Sequence, residues 1–242
     1  MNENVIYNIK IDPDDFIDNA LKMSRYPKLA SYLSYEHLKK TDQGVGVILM
    51  ERYAWALVVM KLSIINPITN LNITGKTWYA GRRGPYYRRE YSLFQDGKPV
   101  LVGASYSILL DVIDRSVYRN KTLPFKELTP TDIFLTDLKT SFKETIDYTF
   151  IQTNTVKEQH IDALGHTNHL NYIEFIYQTL DHNEIKEMNT YNTLELFFQK
   201  EMLLGDVFTI NKGYKDDFLI YLIYNKTRDE MAFTLKLSKE SL

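Results

Sequence analysis

The sequence predicts an α+β fold in which two tandem units each wrap an antiparallel sheet around one helix. Helix-periodic stretches are followed twice by a series of strand-like runs, so the order of elements repeats along the 242 residues. Asp96-Gly97 between two such runs is a hairpin signal. Aromatics are abundant, with 18 Tyr and 12 Phe, and suit sheets with large apolar faces. A chain of this length buries a sizeable core as one large domain or two small ones.

The first unit is expected over 1–125. A polar lead-in precedes a helix at about Pro27 to Lys40, where Leu29, Leu33 and Leu38 fall near one face and Pro27 suits a first turn. Strand-like runs follow at Val45 to Lys61, Leu71 to Tyr79, Tyr86 to Phe94 and Pro99 to Val112. The stretch 126–139 reads as a linker: the pattern loosens after Arg115, and Pro124 and Pro130 punctuate a segment without sustained period.

The second unit is expected over 140–242. An extended run from Thr140 to Gln152 leads into a polar motif and then a helix at about Asn168 to Leu180, with Leu170, Ile173 and Ile176 available to an apolar face. Strand-like runs follow at Thr193 to Met202, Asp206 to Gly213, Phe218 to Tyr224 and Glu230 to Leu237. Lys215-Asp216-Asp217 and Lys226-Thr227-Arg228-Asp229 read as the turns between the last three.

Composition narrows the function classes. The formal net charge of −2 gives no sign of a nucleic-acid binder. No apolar run approaches the ~20 residues that cross a bilayer. Met1 to Asp15 lacks a basic-then-apolar leader and carries Asp12, Asp14 and Asp15, so the expected location is the cytoplasm. With no cysteine, the chain has no disulfide, thiolate metal site or cysteine nucleophile.

Chemistry concentrates at Asp162-Ala163-Leu164-Gly165-His166-Thr167-Asn168, just before the second helix, and His160, His166 and His169 are three of the five histidines. Histidine is the side chain most easily set as acid or base near neutral pH. Gly165 lets the chain turn without a Cβ, and a helix start offers free N–H groups and a positive dipole end to an oxyanion. A plainer reading stands beside this one: Gly165 as a turn residue, Asn168 as an N-cap, Asp162 bonding its own backbone. His160, Asp162, His166 and His169 are of metal-ligating type, but all four would have to converge from within ten residues of loop and helix start, and the reading is that no metal is held. Glu201 lies in a strand-like segment and shares a face with Glu195, Phe197 and Gln199 under strict alternation. Its nearness to His166 is a tertiary question. Between Leu71 and Phe125, nine Lys or Arg outnumber four Asp or Glu, and Arg82, Arg83 and Arg88 belong to this basic stretch. Such an excess steers acidic partners or simply faces solvent.

Taken together, Asp162-x-x-Gly165-His166-x-Asn168-x-x-Asn171-Tyr172-Ile173 resembles the helix-start motif of the acyl-acyl carrier protein thioesterases, which are double-hotdog proteins. Thr77-Trp78, Arg82-Arg83, Tyr87-Arg88-Arg89-Glu90-Tyr91 and Ala104-Ser105-Tyr106-Ser107 resemble the family's first half, and Lys200-Glu201-x-x-x-Gly205-Asp206 resembles the segment of its downstream glutamate. The resemblance runs over roughly residues 20 to 240. It implies a cytoplasmic fatty acyl-carrier-protein thioesterase of fatty acid biosynthesis, with no cofactor and no metal. His166 and Glu201 would activate water, and Asp162 would orient the motif. Gly165, Asn168 and Tyr172 would line the substrate site, and backbone N–H groups at the helix start would hold the oxyanion. Arg82, Arg83 and Arg88 would meet the acidic carrier. Its partners would be the acyl carrier protein and its fatty acyl thioester, with no nucleic acid and no membrane span; a homodimer is compatible with it.

The chain departs from the pattern at Leu164, where the family has asparagine, and at His169, where a second asparagine is common. Leucine cannot hydrogen-bond a carbonyl or a water. Two other readings therefore stand beside the first: a hotdog protein that binds acyl thioesters or fatty acids without cleaving them, and a hydrolase of acyl-CoA.

Overall fold

The computed structural model describes residues 5–41 and 43–240, with the side chains of 45–47 left out of the description. Residues 1–4 of the acidic lead-in and residues 241–242 of the second expected unit lie outside it. The chain divides into two compact units, Met1–Leu138 and Lys139–Leu242.

In the first unit the elements are β1 (Tyr7–Lys10), β2 (Phe16–Ile17), β3 (Ala20–Leu21), α1 (Tyr26–Lys40), α2 (Val45–Met50), β4 (Tyr53–Ile64), β5 (Asn72–Arg83), β6 (Tyr86–Gln95), β7 (Lys98–Asp111) and β8 (Ser116–Val117). The sheet runs β1-β5-β6-β7-β4, antiparallel throughout, with β8 on β7. Pro27 opens α1, and His37, Lys39 and Lys40 sit in its last turn, where cations complement the carbonyl end of the dipole. Leu29 and Leu33 are buried as expected, whereas Leu38 is only partly so. The Asp96-Gly97 turn takes φ 51° and 75°, the double positive φ of a type I′ hairpin.

Two readings of the first half change. The run from Val45 splits into a helix and a strand, because Arg52 adopts φ 69° between them and bonds Asp111 and Asp114. A short apolar run carries no period that separates helix from strand. The lead-in, for its part, contributes β1, whose Tyr7 and Ile9 are buried where it pairs with β5.

The stretch read as a linker forms no strand or helix, and up to 138 it is bonded along the first unit. Gln43 Nε2 donates to the Lys126 carbonyl (2.5 Å), Tyr79 Oη to Glu127 (2.9 Å) and Trp78 Nε1 to the Ile133 carbonyl (3.1 Å). The Leu135 N–H donates to Glu90, which is fully buried, and Lys61 reaches Asp137 at 2.6 Å. Burial pushes the Glu90 carboxyl up, and hydrogen bonds from Leu135 and Arg88 oppose that rise.

In the second unit the elements are β9 (Thr149–Thr155), α3 (His169–Tyr177), α4 (His182–Met188), β10 (Thr193–Phe198), β11 (Val207–Lys215), β12 (Phe218–Asn225) and β13 (Glu230–Ser238). Its sheet order is β10-β13-β12-β11-β9, again antiparallel. α3 packs on one face through aromatic rings, Phe175 on Phe208 at 4.7 Å and Tyr172 on Phe233 at 5.3 Å between centroids. Residues 142–148 cross the other face: Phe142 meets Phe197, and a Cβ at Gly213 would stand 2.9 Å from the Asp147 carbonyl. The predicted turns hold, with Asp216 at φ 50° and Asp229 at φ 56°. α4 carries a reciprocal cap between Asp181 and Glu184.

Candidate active site

The motif folds into a small closed loop. Ile161 and Thr167 form an antiparallel bridge, and the Asp162 N–H donates to the His166 carbonyl at 2.8 Å. Inside the bridge, Asp162 Oδ1 accepts from the Leu164 N–H (2.8 Å) and its carbonyl from the Gly165 N–H (3.0 Å). Asp162 is thus the turn aspartate of the plainer reading. Gly165 makes the reversal at φ 80°, a conformation that L side chains rarely adopt, with nothing within 4 Å of its missing Cβ.

The loop is anchored on both sides. The His160 carbonyl accepts from the Asn168 N–H (2.8 Å) and from Asn171 Nδ2 (2.9 Å). The Thr167 N–H donates to the Met202 carbonyl at 2.8 Å. Asn168 Oδ1 accepts from the Leu170 N–H at 3.0 Å, so Asn168 is the N-cap of α3.

Glu201 lies beyond the end of β10, not within a strand as alternation suggested. The strand stops at Phe198 because the N–H groups of Gln199 and Lys200 both turn to the Ala232 carbonyl. Glu201 then faces His166, with Nε2 to Oε2 at 3.1 Å and the two side chains 28% and 39% exposed. With Nε2 donating to the carboxylate, Nδ1 of the neutral ring is left as an acceptor.

Tyr172 holds this segment from below. Its hydroxyl accepts from the Met202 N–H (3.1 Å) and donates to the Lys200 carbonyl (3.3 Å), one bond on each side of Glu201. It is 3% exposed, and burial pushes its phenol well above the usual range. The hydroxyl of Tyr172, expected at the substrate site, is thus bonded to backbone on both sides.

Asp206 was not singled out from the sequence. It is 4% exposed and accepts from the Leu203 N–H (2.9 Å), Asn225 Nδ2 (2.8 Å) and Arg228 Nε (2.9 Å). Burial alone would raise its carboxyl, but these bonds outweigh burial and hold it below the usual range. Gly205 beside it, which takes φ 85°, is the residue in the sequence that signals a tight turn. His169 packs edge-on to Phe198 at 6.1 Å, and burial lowers it to about 4, so it is neutral near pH 7. Among the described residues no group of three His, Cys, Asp or Glu is placed to hold a metal ion.

The helix-start donors are mostly engaged. The N–H groups of Leu164, Gly165, Thr167, Asn168, Leu170 and Asn171 all have acceptors within the protein. The His166 N–H has none among the described residues. The expected oxyanion site narrows accordingly.

In the first unit the three arginines differ. Arg83 is exposed. Arg82 is tied to Tyr87 Oη and to the carbonyls of Gly84, Asn120 and Lys121, each at 3.0 to 3.1 Å. Arg88, expected to meet the carrier, has only 11% of its side chain exposed and bonds buried Glu90 and the Thr136 carbonyl.

The fold of the whole chain is shared with solved thioesterases. An acyl-ACP thioesterase from Bacteroides thetaiotaomicron VPI-5482 superposes with a TM-score of 0.76 over 99% of this chain and 100% of that one, at 16% identity. A putative oleoyl thioesterase from Lactobacillus plantarum gives 0.75 over 98% and 96%, at 13% identity. The chain has the double-hotdog fold. A 12:0-ACP thioesterase from Umbellularia californica is similar to this double hotdog with a TM-score of 0.74 over 97% and 96%, at 12% identity. No protein-family model matches the chain, and no curated protein sequence matches it. Among the described residues no helix of this double hotdog is long and apolar enough to cross a membrane.

Proposed function

We propose that the protein is a thioesterase that hydrolyses fatty acyl-acyl carrier protein to a free fatty acid and the carrier thiol. The observation that carries the reading is the His166–Glu201 pair at 3.1 Å, partly exposed beside the start of α3. The double-hotdog likeness to acyl-ACP thioesterases supports it. Glu201, polarised through His166, takes a proton from water as the water oxygen attacks the thioester carbonyl. The tetrahedral oxyanion accepts from the His166 N–H, and Asn168 Nδ2 is a second donor at the helix cap. Collapse breaks the C–S bond, and Glu201 returns the proton to the departing thiolate. No step calls for a metal or cofactor.

The acyl carrier is the partner in this reading, and exposed Arg83 is its contact in the basic stretch. Hydrolysis of a panel of acyl-carrier and acyl-CoA thioesters tests the function. Turnover by the wild type and its loss in His166→Ala are expected; no turnover on any substrate, or equal turnover by the variant, defeats it. Arg83→Glu is expected to raise KM for acyl-carrier substrates and leave acyl-CoA unchanged.

Leu164 favours a second reading, a double hotdog that binds acyl thioesters without cleaving them, because its side chain offers no hydrogen bond to a carbonyl or water. Thermal stabilisation by long-chain thioesters with no product release is the outcome that selects it.

A further inference from the structure

The first unit holds a separate polar cluster that the hydrolytic reading does not use. Register pairs Tyr7 with Gly75, Gly75 with Leu93, Thr77 with Tyr91 and Tyr79 with Arg89, which places all of them on one face of the sheet. α1 covers that face: Leu33 lies against Gly75, Ser34 bonds Tyr91, and His37 meets Arg89.

Arg89 Nη1 stands 2.7 Å from His37 Nδ1 and 3.4 Å from Thr77 Oγ1. Among the described residues it has no other hydrogen-bond partner and no carboxylate. It is enclosed enough for burial to lower its guanidinium, yet part of its surface stays accessible. Its Nε and Nη2 have no hydrogen-bond acceptor among the described residues. Arginine only donates, so His37 Nδ1 accepts and Nε2 carries the ring proton. Burial first, then the charges of Arg89 and Lys40, hold His37 to about 4, so it stays neutral. Tyr7 is 5% exposed and its hydroxyl has no partner among the described residues. Lys40 Nζ lies 4.3 Å from the centre of the Tyr7 ring. Glu36 acts on Tyr7 at a distance but forms no ion pair with Arg89 or Lys40 among the described residues.

The result is a group of donors without a counter-charge. A partly buried cation without a counter-charge and a buried hydroxyl without a partner each cost free energy, which a ligand of the right chemistry offsets. The carbonyl end of α1 disfavours an anion, and Lys39, Lys40 and Arg89 offset it. We infer that this cluster binds an organic carboxylate, held across the open edge of the Arg89 guanidinium and accepting from the Tyr7 hydroxyl. The planar fork of arginine matches the two oxygens of a carboxylate.

Thermal-shift titration with octanoate, octanol and inorganic phosphate tests this, on the wild type, Tyr7→Phe, Arg89→Met and His166→Ala. Octanoate is expected to stabilise the wild type and His166→Ala alike, while octanol and phosphate do not. Arg89→Met is expected to abolish the octanoate shift. Tyr7→Phe is expected to raise the ligand-free Tm, because the hydroxyl it removes has no partner, and to weaken octanoate about tenfold. An octanoate shift unchanged in both first-unit variants overturns the inference, as does a shift produced by phosphate in its place. If Arg89→Met fails to fold, Tyr7→Phe decides alone: a lower ligand-free Tm with unaltered octanoate affinity overturns it.

Discussion

His166 Nε2 and Glu201 Oε2 meet at 3.1 Å although no helix or strand carries both. Two backbone anchors bring them together. The Thr167 N–H bonds the Met202 carbonyl, and the Tyr172 hydroxyl bonds residues on either side of Glu201. The pair is held by its supports more than by its own attraction, since exposed ion pairs contribute about 0–1 kcal/mol.

Removing either partner should therefore separate activity from stability. His166→Ala and Glu201→Gln are each expected to lower kcat on acyl-carrier thioesters by about 10²–10⁴-fold. Urea unfolding should move by about 1 kcal/mol or less. A large stability loss with unchanged kcat would make the pair structural.

Tyr172→Phe should do both. It leaves the Met202 N–H and the Lys200 carbonyl without their side-chain partner, for a loss of about 1–3 kcal/mol. It also frees the segment that aims Glu201, so kcat should fall with little change in KM. Equilibrium unfolding and steady-state kinetics on one preparation check the two effects together.

Asp206→Ala is expected to be among the most damaging single changes in the second unit. It strands Asn225 and the Leu203 N–H around a buried position while Arg228 keeps access to water, and leaving such buried groups unpaired costs about 1–3 kcal/mol. A midpoint shift in urea smaller than that of His166→Ala would show the network to be dispensable.

Stability should fall as pH drops below neutral. His37 and His169 are both lowered from 6.5 to about 4 in the folded state, chiefly by burial. The unfolded chain then binds more protons than the folded one between these values. Their contribution is complete above pH 6.5 and is lost progressively as pH falls toward 4. The urea midpoint is expected to be lower at pH 5 than at pH 7.5. In NMR titration, the ring signals of both histidines should stay flat from pH 7.5 to 5.5.

Much of the architecture was legible because its causes are local. Strand-like runs bounded by turn residues marked most of the long strands, Pro27 marked the start of α1, and Asp96-Gly97 could form only a narrow set of turns. The Gly165-His166 loop and the Asn168 cap could be read for the same reason, since their bonds span a few residues. α2 was misread because a short apolar run has no period that separates helix from strand, and β1 because a short strand is defined by its partner β5.

The sequence by itself determined the order of the elements and the residue types that gather before α3. Tertiary structure alone decided what those residues do. It set Glu201 against His166, bonded the Tyr172 hydroxyl to backbone on either side of Glu201, and drew Arg88 onto Glu90. These outcomes depend on distances between segments far apart in the chain, and no spacing rule reports how closely a sheet and a helix pack.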